Sequence, residues 1–366
     1  MQKTAQKEHR MSKTPILLTA ILVLLGAAGG TCAAFLHVPM PWLTGSLAVG
    51  GLISRVFPQL LGDGYTFPKN FRLCFIAIIG MTIGFQVHPD LLAKIPSLLA
   101  SLVAITLFVP ITQFGNYHLF RRFGGYDRPT AFFAGSPGGL MEALTLGETA
   151  GANVQLLTLQ QFLRIIVVIT LVPLGISLWI GHPVGSAAGL SNQMPTTDIT
   201  QWINMPVLLV AGGIGLWAAL RLRLPAGQLT GPLVAAAILN LLPLPAFAMP
   251  VWALVAAQVV IGVSLGVRFH NISTPVVVKG IWLAALSVAM MLTVGGVMSV
   301  ILLQITTLRF DTLLISFAPG GVTEMGLIAI SLAASPAVVA FHHVYRIVVT
   351  VLMMGYVARR MDRDGG

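Results

Sequence analysis

Apolar runs of the length that spans a bilayer, about 20 residues, recur from end to end of this chain. In the first half they cover residues 15–36, 42–57, 70–87, 91–117 and 153–180, and the second half repeats the pattern. A sixth apolar segment, 129–150, is interrupted by Pro137, Gly138 and Gly139. Broken backbone at membrane depth is tolerated only where protein shields it or where it lines a watery cavity. That segment is therefore either a kinked crossing or a re-entrant hairpin. The pattern predicts an all-α polytopic membrane protein.

The chain is also a duplication. At an offset of 182, Pro137-Gly138-Gly139 and Glu142 fall on Pro319-Gly320-Gly321 and Glu324. The same offset carries Arg164 onto Arg346, and Gly80 and Gly84 onto Gly262 and Gly266. Leu43-Thr44-Gly45 matches Leu229-Thr230-Gly231 at an offset of 186. These landmarks divide the chain into a basic cytoplasmic tail (1–14), a first membrane repeat (15–180), a polar linker (181–205), a second repeat (206–358) and a basic cytoplasmic tail (359–366).

Charge chooses between crossing and re-entry. If both Pro-Gly-Gly segments cross, each repeat has six spans and the two run parallel, with 14 basic residues inside and 5 outside. If both re-enter, each repeat has five spans and the second is inverted. Of the 21 Lys and Arg, 17 then lie on the cytoplasmic side and only Lys94 and Arg309 outside, leaving Arg164 and Arg346 within the membrane. The positive-inside rule favours the second solution. The predicted fold is two inverted repeats of five transmembrane helices, each with a Pro-Gly-Gly re-entrant or broken-helix hairpin.

Composition agrees. Of 366 residues, 56% are hydrophobic and 9% charged, too few charges to coat a soluble enzyme, in which about a quarter are charged. A net charge of +10 in a soluble chain would point to nucleic acid, but here it reports orientation in the bilayer, and no direct nucleic-acid contact is expected. Cys32 and Cys74 lie in apolar stretches and read as small core residues. The basic N-terminus resembles a secretory signal, yet its counterpart in the second half marks a retained helix.

The chemistry concentrates at the breaks. Pro137, Gly138, Gly139 and Glu142, with Pro319, Gly320, Gly321 and Glu324, place a carboxylate in the first turn of a helix that starts inside the bundle. Two such positive helix ends meeting near the midplane form a substrate site in inverted-repeat transporters. The plainer alternative has each Glu merely capping local amides. Arg164 and Arg346 lie well inside their helices, where a charge costs about 2.5–3.5 kcal/mol on insertion scales. They either pair with the glutamates to fix the break, or hold an anionic group while Glu carries a coupling proton or cation.

Gln160 and Gln161 share the helix face of Arg164. His342 and His343 replace them in the second half and could make that half proton-responsive. No metal site is expected, since Glu324 is the one obvious third ligand for these histidines. The Gly80/Gly84 and Gly262/Gly266 pairs have the spacing of close helix contacts, and the Leu-Thr-Gly segments read as structural turns.

Leu-Thr-Gly early, Pro-Gly-Gly-x-x-Glu late, then Gln-x-x-Arg or His-x-x-Arg, all in duplicate, resemble the bacterial AbrB-type membrane protein family over nearly the whole chain. Members carry names as regulators of gene expression and as ammonia monooxygenases, and the resemblance places the chain in the bacterial inner membrane. The family is also distantly similar to cation/proton antiporter and bile-acid-type transporter folds, an analogy of fold alone. A monooxygenase needs copper, iron, flavin or haem; the sequence has no His/carboxylate triad, no haem attachment motif and no dinucleotide fingerprint. The expectation is a non-enzymatic secondary transporter without a cofactor, moving an unknown small solute such as an organic anion. A membrane-bound sensor acting on expression through a partner is the alternative. Assembly as a homo-oligomer stays open.

Overall fold

The computed structural model describes residues 2–61, 65–85, 87, 98–181, 199–222, 224, 226–242, 247, 249–269 and 274–364. Among these residues there is no strand. Apart from short turns, the helices form two matching sets. The first is α1 (Gln2–Phe35), α2 (Pro41–Val56), α3 (Lys69–Gly84), α4 (Leu99–Leu119), α5 (Arg128–Ala134), α6 (Leu140–Thr149) and α7 (Val154–Ile180). The second is α8 (Ile199–Arg221), α9 (Gly227–Leu241), α10 (Val251–Gly266), α11 (Thr274–Leu303), α12 (Phe310–Phe317), α13 (Val322–Ser331) and α14 (Pro336–Asp364). The predicted tails and linker are partly helical: α1 takes in the basic N-terminal segment, α8 starts before residue 206, and α14 runs past residue 358. The rest of the linker, residues 182–198, lies outside the described residues.

Five helices, α1, α4, α7, α11 and α14, contain stretches long and apolar enough to cross a membrane. Helices α2, α3, α9 and α10 have only 15 or 16 residues. At 1.5 Å per residue each reaches about 24 Å, short of the roughly 30 Å hydrocarbon core. The surface is apolar, with Leu24, Leu178, Trp217, Trp252, Trp282 and Leu352 exposed, whereas Asn116, Gln161, His343 and Arg346 are buried. This reverses the distribution in a soluble domain and is that of a multi-pass membrane protein. Cys32 and Cys74 are exposed, not core residues; a small, weakly polar side chain is at home on an apolar outer face.

The helices sort into two groups, each drawing equally on both halves. In one, α2 packs between α1 and α10, and α9 between α8 and α3. Glycines permit this closeness: a Cβ at Gly80 would overlap the carbonyl oxygen of Leu229, and one at Gly262 that of Leu43. Thus α3 of the first half lies on α9 of the second, and α10 on α2; the spacing of these glycines predicts such close contacts, though not their partners. Met40 and Ala226 open α2 and α9 in the left-handed region, with φ of 52° and 50°. Thr44 and Thr230 then donate to their carbonyls, so the chain turns at Met40 and Ala226, and the Leu-Thr-Gly segments, expected as turns, form the first turns of the helices α2 and α9.

The other group holds α4, α7, α11 and α14 with the four short helices α5, α6, α12 and α13. Equivalent helices α4 and α11 run in opposite directions. Phe108 sits near Gly295, Ser287 donates to Asn116 at 2.8 Å, and Lys279 donates to the Gly124 carbonyl at 2.8 Å. The two groups touch where α3 meets α13 and α14.

Candidate functional site

Each break is built from its flanks inward. Asp127 caps α5 through the Thr130 amide at 2.7 Å, and Asp311, in the first turn of α12, accepts from the Thr312 amide at 2.6 Å; both satisfy amides that a helix start leaves unpaired. The Asn153 amide donates to Thr130 Oγ1 at 2.7 Å, and the Ser335 amide to Thr312 Oγ1 at 3.4 Å. The chain therefore returns, after α6 and α13, to the level at which α5 and α12 began. Asn153 then caps α7 through the Leu156 amide.

The two Gly-Gly pairs serve different needs. Gly139 has φ of 65°, a left-handed conformation that glycine adopts without strain. Gly321 has φ of −75°, yet a Cβ there would overlap the Glu324 carboxylate. Glutamate folded back over a first helical turn is the local placement expected of a capping residue. Glu324 is 8% exposed, whereas Glu142 is half-buried.

The arginines turn to backbone. Arg164, 5% exposed, donates to the Ser136 carbonyl. Arg346, 1% exposed, donates to the carbonyls of Phe317 at 3.3 Å, Ala318 at 2.6 Å and Gly320 at 2.9 Å. A helix end leaves its last carbonyls without partners, and cations are favoured there; these guanidiniums occupy the ends of α5 and α12. Among the described residues neither arginine pairs with Glu142 or Glu324. Of the two roles expected for these arginines, the pair with glutamate gives way to arginine-carbonyl bonds, because the carbonyls of the break lie closer to hand. The Nε atoms of Arg164 and Arg346 are buried without a partner.

Gln161 Nε2 donates to the Phe133 carbonyl at 2.8 Å and to Ser136 Oγ at 2.8 Å. His343 Nε2 meets the Ile315 carbonyl at 2.9 Å, and its Nδ1 accepts from Arg346 at 2.9 Å. A nitrogen facing a carbonyl must carry the proton, and one facing a guanidinium must not. His343 is therefore a neutral imidazole protonated at Nε2. His342 points away, to Ser101 Oγ at 2.7 Å and the Val338 carbonyl, as Gln160 does to Tyr126. None of these four lines the cavity described next.

That cavity, of about 380 Å³, lies where the two helix groups meet. Gly138, Gly139, Gly320 and Gly321 line it together with Glu142, Glu324, Arg164 and Arg346. It thus gathers eight of the residues that the motif singles out; Pro137 and Pro319 stay in the breaks behind it. Two arginines join them: Arg72, from the first turn of α3, and Arg268, just beyond α10. Sequence reasoning assigned both to cytoplasmic loops. The duplication could not flag them, since their counterparts at the 182-residue offset are Leu254 and Gln86. Arg268 lies over the Phe162 ring, 4.2 Å from its centroid. Burial and the neighbouring Arg72 lower its pKa to about 10, so it remains a cation at neutral pH. Among the described residues no group of three His, Cys, Asp or Glu side chains comes together.

Known proteins are similar to this chain along most of its length. A protein of Bacillus subtilis (strain 168), "Uncharacterized protein YhjN", is 24% identical over 346 residues, covering 91% of this chain and 90% of its own. One of Escherichia coli (strain K12), "Putative regulator AbrB", is 24% identical over 345 residues, covering 94% and 97%. The family described as "Transition state regulatory protein AbrB" matches residues 49–362, which include both breaks and the whole cavity. The chain belongs to the AbrB family.

Proposed function

We propose that this protein is a secondary transporter of a small solute, working by alternating access around its two Pro-Gly-Gly segments. One observation carries the reading: equivalent residues from both halves converge on one cavity between two helix groups. Paired broken helices at the junction of two repeats are how secondary transporters expose a site to either side in turn. The glutamates, not paired with Arg164 or Arg346, are the groups available for a coupling proton or cation. Arg164 and Arg346 hold the breaks open by occupying their carbonyls.

We further take the halves to be inverted repeats of five spans, with the Pro-Gly-Gly segments as re-entrant hairpins. The opposed directions of α4 and α11 support the inversion. The closing bonds Asn153–Thr130 and Ser335–Thr312 support re-entry. On this reading α2, α3, α9 and α10 are short spans in a bacterial cytoplasmic membrane, where neighbouring helices shield their ends. No catalytic step is assigned. The name of the E. coli relative supports a second reading, a sensor that alters expression through a soluble partner.

Flux in proteoliposomes loaded with metabolite pools, with and without a pH gradient, tests the proposal. Solute movement that Glu142→Gln/Glu324→Gln abolishes is the expected result. No movement in either, with a cytoplasmic regulator co-purifying, would replace transport by sensing.

A further inference from the structure

The cavity carries more positive charge than its motif requires. Four arginines and two glutamates line it, so its formal charge is +2 with both carboxylates ionised. Arg164 and Arg346 spend their terminal nitrogens on the breaks. Arg72 and Arg268 do not: among the described residues neither makes a hydrogen bond, and Arg72 Nε is buried without a partner. Phe162 supports one guanidinium by stacking, and Glu324 attracts the other. Two neighbouring cations that repel each other, with free planar forks aimed into one cavity, match carboxylate oxygens in geometry and charge. Arg164 and Arg346 line the same cavity as a second pair of cations, whereas the first turns of α6 and α13 carry the Glu142 and Glu324 carboxylates. Between these poles the lining is apolar, with Ile76, Ile165, Leu229, Ile261 and Ile347. A volume of about 380 Å³ lies near the lower end of small-molecule sites, roughly 300–1,000 Å³.

We propose that the solute is a small organic dianion, two carboxylates on a short hydrocarbon body. One carboxylate is taken by Arg72 and Arg268, and the other lies toward Arg164 and Arg346. The body lies along the isoleucines. This rests on the transporter reading of the same cavity and adds the substrate class to it.

The test uses the purified full-length protein and a panel of malonate, succinate, glutarate and adipate, with butyrate, putrescine and dimethyl succinate as controls. Binding is read by tryptophan fluorescence and by the thermal midpoint. At least one dicarboxylate should raise the midpoint by several degrees, and the neutral ester should not. Arg268→Gln, at the open side of the cavity, should weaken that binding at least tenfold, and Arg72→Gln likewise, with Arg72→Lys retaining part of it. An unmoved, monodisperse wild type would overturn the proposal, as would equal binding of the ester or diamine, or binding that survives Arg268→Gln. Proteoliposome flux separates the two readings. Arginine-dependent binding without flux keeps the dianion site and removes transport. Glutamate-dependent flux of a cation or neutral solute keeps transport and removes the dianion.

Discussion

Gln161 and His343 occupy equivalent positions and bind equivalent carbonyls, those of Phe133 at 2.8 Å and Ile315 at 2.9 Å. Two unlike side chains thus do one job, presenting an N–H to the last turn of the short helix before each break. The replacement His343→Gln should keep that bond and lower stability by less than about 1 kcal/mol, the net worth of an ordinary hydrogen bond. His343→Ala leaves a buried carbonyl without a donor and should cost about 1–3 kcal/mol. Apparent thermal midpoints in detergent, compared at one scan rate, check the order; an equal loss in both would mean that the bond contributes nothing.

Arg346 serves three carbonyls and the imidazole of His343, while Arg164 has one bond to the Ser136 carbonyl. Each buried acceptor left unpaired costs on the order of 1–3 kcal/mol, so Arg346→Ala should lower the midpoint more than Arg164→Ala. In the second case Gln161 still holds the break through Phe133. Unfolding of the purified variants checks this. If Arg164→Ala is the more damaging, the hydrogen-bond difference does not set the stability of the breaks.

Much of this arrangement is legible in the sequence because the duplication prints each element twice. The Pro-Gly-Gly breaks, the paired Glu and Arg and the small-residue contacts all recur at fixed offsets, and all of the cavity's motif residues follow from them. Arg72 and Arg268 escape that logic because they have no counterparts and sit at helix ends, where a basic residue ordinarily records orientation. The partner of Arg164 and Arg346 was equally hidden. Opposite charges suggest glutamate, but the carbonyls freed by broken helices are invisible in a residue string. The crossing of the halves, α3 on α9 and α10 on α2, is likewise a matter of long-range packing, since Gly80 and Gly262 announce a close contact without naming its partner.

Glycine contacts give a test of that crossing. A Cβ at Gly84 would overlap the Leu233 carbonyl oxygen on α9, whereas one at Gly213 on α8 meets nothing within 4 Å. Backbone cannot rotate aside, so Gly84→Ala should force α3 from α9 and cost roughly 1–3 kcal/mol, as overpacking does. Gly213→Ala should be neutral or stabilising by up to about 1 kcal/mol, because alanine favours helix. Thermal midpoints of the two variants decide; a tolerated Gly84→Ala would separate these helices in the bilayer.

The last prediction concerns orientation. Seventeen of the 21 basic residues fall on one side only if the halves are inverted, and the opposed directions of α4 and α11 call for the same arrangement. With five spans per half, the segment near residue 190 must then face away from the cytoplasm and both chain ends toward it. A fluorescent protein that folds only in the cytoplasm should be bright after Gly366 and dark at residue 190, and a periplasmic phosphatase should show the reverse. A single cysteine at Ser191 should react with a membrane-impermeant maleimide in intact cells, provided the native Cys32 and Cys74, exposed on the helix surface, are first replaced by alanine. Cytoplasmic fluorescence at residue 190 would require six crossings per half. Both Pro-Gly-Gly segments would then traverse the membrane, and the two halves would be parallel.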